Sequence, residues 1–304
     1  MRFSVWPSSG QSWEDVLAIA RHAEATGWDG VWIADHFMPN AEDVSGPMLE
    51  CWATLAGLAA SVPRVRLGAL VSGNTYRHPA VLAKTATTID HISGGRVVLG
   101  LGAGWQENEH RAYGLEFFDT RTRLRRLEEA CEVVKRLTTE ERVEFSGEHY
   151  SLVAAPLEPK PVQSPLPLLV GGGGEKVTMR IAARWADEWN VWGDPATLAQ
   201  KGAVLDEHCE RLGRDPAAIA RSAQTLLFLS DDEEWLAKRR EAMGGGGGRG
   251  AMIGRPSELV DTVGAYVDAG VDELIVPDFT LGSGARKLDT YDRFITEVAA
   301  AFRG

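Results

Sequence analysis

Apolar residues recur at Trp13, Val16, Leu17, Ala20 and Ala23, and this spacing predicts a helix that starts after Ser12, whose hydroxyl suits an N-cap. The helical pattern ends at Gly27, and after Asp29 comes a short apolar run over 31–34. Glycine past the last turn suits a left-handed cap, and an unbroken apolar run suits a strand covered on both faces. The same order returns in GAYVDAGVDELIVPDF, with Gly270, Asp272 and an apolar run over 274–276. IAARWADEWNVWGD, around Asp187, repeats it more loosely.

Between these echoes the alternation continues. Apolar runs at 65–71, 97–101, 166–170 and 225–229 alternate with helical patterns near 78–92, 119–137, 175–185 and 196–212. With the opening run at 3–6, eight strands are predicted, and eight strand–helix units at this length point to an α/β fold, a (β/α)8 TIM barrel with insertions. An open doubly wound sheet stays as the alternative, because periodicity does not reveal closure. Residues 139–164, with several prolines, suit a small hairpin, and 231–254 contains GGGGGRG at 244–250, read as a mobile loop. No linker divides the chain, so one domain over 1–304 is expected.

Composition narrows the function classes. An apolar fraction of 44% with ten Trp among 304 residues allows a large core. A net charge of −11 argues against a nucleic-acid backbone and against an anionic membrane surface, so an anionic ligand would need a local pocket. Cys51, Cys131 and Cys209 are odd in number and scattered, which fits a reducing cytoplasm and neither a disulfide framework nor a zinc site. The start MRFSVWPSSG lacks the apolar stretch of a signal peptide, and a cytoplasmic protein is expected.

The candidate chemistry sits just past strands, where a barrel keeps its active site. Gly171–Gly174 follow the fifth predicted strand and lead into a helix expected from Glu175; bare amides at a helix start form an anion site, and a packing turn is the plain alternative. Gly100, Gly102 and Gly104 in VVLGLGAGWQENEH have GxGxG spacing, not the dinucleotide GxGxxG, and equally suit a strand that turns sharply. Asp35 and His36 in WIADHF stand past the second strand, and a histidine there suits acid–base work as well as a structural role. His78 before Pro79 suits a helix cap. His91, His110, His149 and His208 lack partners at metal-ligand spacing, so no metal is expected. Without a GxSxG elbow, P-loop or HExxH, the chain reads as a cofactor-dependent enzyme acting on a small molecule.

ADHF, the block from LGALVSGNTYRHPAVL to GLGAGWQENEHRAYG, and PLLVGGGGEKVTMRIAARWADEWNVW together resemble the bacterial-luciferase-like flavin and deazaflavin oxidoreductases, most closely the branch using coenzyme F420. The resemblance covers residue 1 to about 280 and implies a luciferase-like barrel with the cofactor ring over its C-terminal face. It implies a non-prolyl cis peptide in a bulge within Ala69, Leu70 and Val71. It implies that Asp35 and His36 meet the deazaflavin, with His36 as proton donor or acceptor. Ser72, Gly73 and Asn74 would edge the ring; Gly102, Ala103, Gly104 and Asn108 would follow the cofactor's side chain; Gly172, Gly173 and Gly174 would hold its phosphate. Trp105 stands where sugar-phosphate dehydrogenases of the family have Glu, so the resemblance argues against a sugar phosphate and leaves open whether Glu107 or Glu109 supplies an acid. By analogy with dimeric relatives it admits a homodimer.

Three functions follow as expectations. The first is an F420-dependent oxidoreductase moving a hydride between the deazaflavin C5 and an organic substrate. The second is an FMN-dependent monooxygenase using reduced flavin and oxygen. The third is a cofactor-binding relative without turnover.

Overall fold

The computed structural model describes residues 1–244 and 250–303, so the glycine run expected to be mobile falls almost wholly outside the described residues. In chain order the strands are β1 (Arg2–Trp6), β2 (Gly30–Ile33), β3 (Arg66–Ala69), β4 (Ser72–Gly73), β5 (Val97–Gly102), β6 (Val143–Ser146), β7 (Ser151–Ala155), β8 (Leu168–Gly171), β9 (Glu188–Trp192), β10 (Ala220–Gln224), β11 (Leu226–Leu229), β12 (Ala251–Gly254) and β13 (Glu273–Pro277). The main sheet runs β3-β2-β1-β13-β10-β9-β8-β5, and β3 pairs again with β5 through Leu67↔Val97. All these pairings are parallel, so eight strands close into the expected barrel and the open sheet is ruled out. β4 continues the line of β3 past a bulge whose Leu70–Val71 peptide is cis, within the triplet named by the resemblance. The expected hairpin is β6 with β7, antiparallel.

The echoes have a physical cause. Ser12 accepts from the Asp15 N–H at 3.1 Å and starts the helix Trp13–Thr26, which Gly27 ends at φ 88°. Asp29 then accepts the Phe3 N–H at 2.8 Å, Asp187 the Leu168 N–H at 2.8 Å and Asp272 the Arg221 N–H at 2.7 Å. Each aspartate precedes a strand and satisfies an amide on the neighbouring strand, an N–H that would otherwise lack a partner at the sheet's end. His78 caps the helix Pro79–Ser93, its Nδ1 accepting from the Ala80 N–H at 3.2 Å.

Two expectations are corrected. The seventh barrel strand is β10, not 225–229, whose residues leave the barrel as β11 to pair with β12. The sequence ARSAQ hides a buried strand because Ser222 and Gln224 are buried, and Ser222 Oγ accepts from Asn190 Nδ2 at 2.8 Å. The helix expected from Glu175 begins at Thr178, after a turn over 175–177.

Between sheet and helices lies the larger core, while Trp6, Trp32, Leu70, Val98, Leu169 and Ile275 form a separate cluster. The N-terminal end of the barrel carries a charge network. Glu273, fully buried, accepts from Ser4 Oγ at 2.6 Å, Trp32 Nε1 at 2.8 Å, and Arg66 and Arg2 at 3.1 Å each. Arg66 also donates to Glu188, whose carboxyl burial pushes up against the pull of the arginine. The three cysteines are buried and free. Among the described residues no helix is long and apolar enough to cross a membrane.

Candidate active site

A pocket of about 850 Å³ opens at the C-terminal ends of the strands. Its walls follow the strand order. On one side are the bulge residues Leu70, Val71, Ser72 and Gly73, then Gly102, Ala103 and Gly104 after β5, then Gly171, Gly172 and Gly173 at β8. On the other are Trp6 from β1, Trp192 from β9, Gln224 from β10 and Phe279 after β13. Asp35 and His36 follow β2, which lies between β1 and β3, and so stand at the seam of the two sides.

The glycines on the first side have separate duties. A Cβ at Gly102 would lie 2.7 Å from Val71 Cγ2, and one at Gly171 2.8 Å from Val71 Cγ1, so β5 and β8 are bare where the bulge side chain enters. At Gly100 a Cβ would lie 1.9 Å from the Ala69 carbonyl oxygen. The GxG pattern thus makes room for β3's bulge. Past β8, the Gly172 N–H donates to the Asn190 carbonyl at 2.9 Å, so this amide is committed to the sheet and is not free for a phosphate. The amides of Gly173 and Gly174 have no acceptor among the described residues. Val177 caps the helix Thr178–Trp185 without a side-chain hydrogen bond, and of the first-turn donors the Met179 N–H is taken by the Gly174 carbonyl at 3.0 Å. Lys201, which the sequence did not single out, donates to the Gly173 carbonyl at 2.9 Å and pairs with Glu175 at 3.1 Å, pinning this loop from the helix Pro195–Leu212.

Other expected residues stand off the pocket wall. Ala69 is fully buried in β3, and Gly174 packs toward Thr178, with a Cβ there 2.8 Å from its hydroxyl. Asn74 is buried and donates to the Tyr150 hydroxyl at 3.2 Å. Asn108 donates to the Pro39 carbonyl at 2.9 Å and accepts from the Glu109 N–H at 2.9 Å, fastening the segment after β2. The Asn108 amide and the Asn74 amide nitrogen are turned to protein partners, while Asn74 Oδ1 is buried without a partner among the described residues; neither side chain lines the pocket.

Asp35 is buried, and Arg77 grips both its oxygens at 2.7 and 3.1 Å, with the Gly73 N–H at 3.3 Å. Burial pushes the Asp35 carboxyl up, and the Arg77 guanidinium opposes it. His36 is tied differently. Its Nδ1 lies 2.9 Å from Glu109 Oε1, whose other oxygen accepts the Phe37 N–H at 2.7 Å, and the Tyr76 hydroxyl donates to the same carboxylate. Burial alone would raise the Glu109 carboxyl, yet the hydrogen bonds from His36, Tyr76 and Phe37 hold it below the usual value. Burial, then the Glu109 bond, raises the Tyr76 phenol, which therefore stays protonated as a donor. A carboxylate at Nδ1 fixes the proton there and leaves Nε2 as the imidazole's second hydrogen-bonding atom. Of the two acids left open by the sequence, Glu109 is the one that reaches His36. Both sit in the first turn of the helix Glu107–Tyr113, but Glu109 is fully buried and Glu107 exposed. Trp105 stands edge-on to His36 at 5.5 Å and is 60% exposed at the rim.

Comparisons with known proteins agree with this architecture. The family model described as luciferase-like monooxygenase matches residues 1–247. An F420-dependent glucose-6-phosphate dehydrogenase of Kineococcus radiotolerans is 37% identical over 70% of this chain and 63% of its own length. An F420-dependent hydroxymycolic acid dehydrogenase of Mycobacterium tuberculosis is 31% identical over 72% of this chain and 60% of its own. The chain thus spans less than two thirds of the length of these two relatives. A protein of Intrasporangium calvum, also named F420-dependent glucose-6-phosphate dehydrogenase, is 35% identical over 98% of both chains. Among solved structures, an F420-dependent secondary alcohol dehydrogenase superimposes with a TM-score of 0.85 at 21% identity over 100% of this chain and 99% of that one. The coenzyme F420-dependent tetrahydromethanopterin reductase of Methanopyrus kandleri gives 0.82 at 20% identity over 99% of both. At such identities the likeness is one of fold. With the barrel closed and the family model spanning most of its 304 residues, the chain belongs to the luciferase-like monooxygenase family.

Proposed function

We propose that the protein is an F420-dependent oxidoreductase that transfers a hydride between the deazaflavin C5 and a small organic substrate. One observation carries the reading: the glycine-lined half of a pocket of about 850 Å³ adjoins the unengaged amides of Gly173 and Gly174 at an uncapped helix start. A flat ring needs the bare wall, and a phosphodiester tail needs the amides. Side chains at Gly102 and Gly171 would meet Val71 and one at Gly173 would meet Val191, each within 3 Å, so residue choice keeps the bulge seated behind this half of the pocket. The relatives named F420-dependent support the same reading.

Bound there, the deazaflavin supplies a two-electron hydride acceptor or donor. The chain's own residues do the rest. Gly173 and Gly174 would hold the phosphate, Val71 would lie against the ring, and the pocket walls would shield the reacting groups from bulk water. His36 takes or returns the substrate proton at Nε2, while Glu109 holds its ring orientation. Isothermal titration of the purified chain with F420 and with FMN tests the assignment. F420 binding at least tenfold tighter is expected; FMN binding tenfold tighter would favour the monooxygenase instead.

A further inference from the structure

The turn after β4 sends three consecutive side chains to three parts of the site. The Tyr76 N–H donates to the Gly73 carbonyl at 3.0 Å and closes the turn. Thr75 Oγ1 lies 2.6 Å from His110 Nε2, whose ring Nδ1 donates to the Gln106 carbonyl at 2.7 Å. Tyr76 donates to Glu109, and Arg77 grips Asp35. Two glycines make room for this turn. A Cβ at Gly73 would lie 2.4 Å from Tyr76 Cε2, and one at Gly104 2.8 Å from Thr75 Oγ1. The Tyr76 ring also rests 4.8 Å from the rings of Phe37 and of His110, so packing aims its hydroxyl at Glu109.

The choice of oxygen matters most. Tyr76 and His36 Nδ1 both use Oε1 of Glu109, while the Phe37 N–H takes Oε2. A carboxylate oxygen has lone pairs for two donors, but the charge it offers is then divided between them. We infer that Tyr76 is a positioning residue for His36, sharing Glu109 Oε1 and so limiting the hold of that carboxylate on the imidazole. The other carboxylate beside His36, Asp35, is engaged by Arg77, and Trp105 presents only a ring edge. An undivided carboxylate favours the imidazolium, which can give a proton but cannot take one. The bearing on proton transfer rests on the function proposed above, whereas the sharing of the oxygen does not.

The test is nuclear magnetic resonance of the full chain with isotopically labelled histidine and no cofactor. The His36 Nδ1 nitrogen is read through the carbon-bound ring protons and assigned by its loss in His36→Asn. Tyr76→Phe removes the competing donor, and the Nδ1 resonance should move downfield as the bond to Glu109 strengthens. Replacing Tyr76 by 3-fluorotyrosine makes the phenol a stronger donor at nearly the same size, and the resonance should move upfield. A structural role alone gives no such reversal of sign. An unmoved Nδ1 resonance, or movement in the same direction in both chains, would overturn the inference. Should Tyr76→Phe not fold, the fluorinated chain decides alone, upfield movement supporting the sharing and any other result ending it. Failure of F420 to bind would leave this result standing, and an unmoved resonance would leave the cofactor reading standing.

Discussion

The two sides of the pocket recognise by opposite means. From β3 to β8 the wall is backbone: a bulge, glycines that leave space for it, and amides at a helix start. From β9 round to β1 it is side chain: two indoles, a phenyl ring and a primary amide. Backbone amides suit a ligand of constant shape and charge, because they tolerate no fine adjustment by substitution. Side chains suit a ligand that differs from one relative to the next. The contrast teaches that one barrel mouth offers a backbone-built wall and a side-chain-built wall on separate strands, with His36 at the seam.

Three substitutions break or sharpen that contrast. The largest effect belongs to the seam: His36→Ala should lower turnover by about 10²–10⁴-fold, the range for a positioned acid–base group, with F420 affinity within about twofold. Steady-state kinetics beside titration checks it, and unchanged turnover would remove His36 from the mechanism. Next comes the backbone side. Gly173→Val would bring a Cβ 2.9 Å from Val191 Cγ2 and push the loop aside. Cofactor binding should weaken by about 30-fold, roughly 2 kcal/mol, as titration with F420 would show. The smallest is Glu109→Gln, with turnover lower by about tenfold and rescued in part by Glu109→Asp. Its pH signature is specific. The folded-state value of Glu109 lies below the ordinary 4.5, so its stabilising contribution is complete above that pH and is lost as pH falls through the lower folded value. Melting temperatures followed from pH 7 downward should therefore drop less steeply below about pH 4.5 in the Gln variant than in the parent. Equal acid slopes would count against this account of the carboxylate.

What could be read without coordinates divides along the same line. The glycine side is legible because a backbone demand leaves a mark at consecutive positions, as in Gly171–Gly174 and at alternate residues Gly100, Gly102 and Gly104. Even there, the local pattern does not show that the Gly172 amide is used by Asn190, since that depends on strand pairing. The aromatic side leaves no local mark: Trp6, Trp192, Gln224 and Phe279 meet only because the sheet closes. β10 was obscured for a related reason, its buried faces being Ser222 and Gln224 and its apolar neighbour β11 lying outside the barrel. His36 was readable from its place after a strand, and Glu109 became its partner only through the fold of the helix that follows β5.

At the other end of the barrel, the Glu273 carboxylate gathers groups carried by β1, β2 and β3 onto a residue of β13. Four of the eight staves are keyed to one another there, far from any loop tip that touches a ligand. Anyone grafting new specificity onto this scaffold has a natural dividing line: loop tips at the mouth can be exchanged, whereas Glu273 and its four donors should be left untouched, because they keep the staves in step.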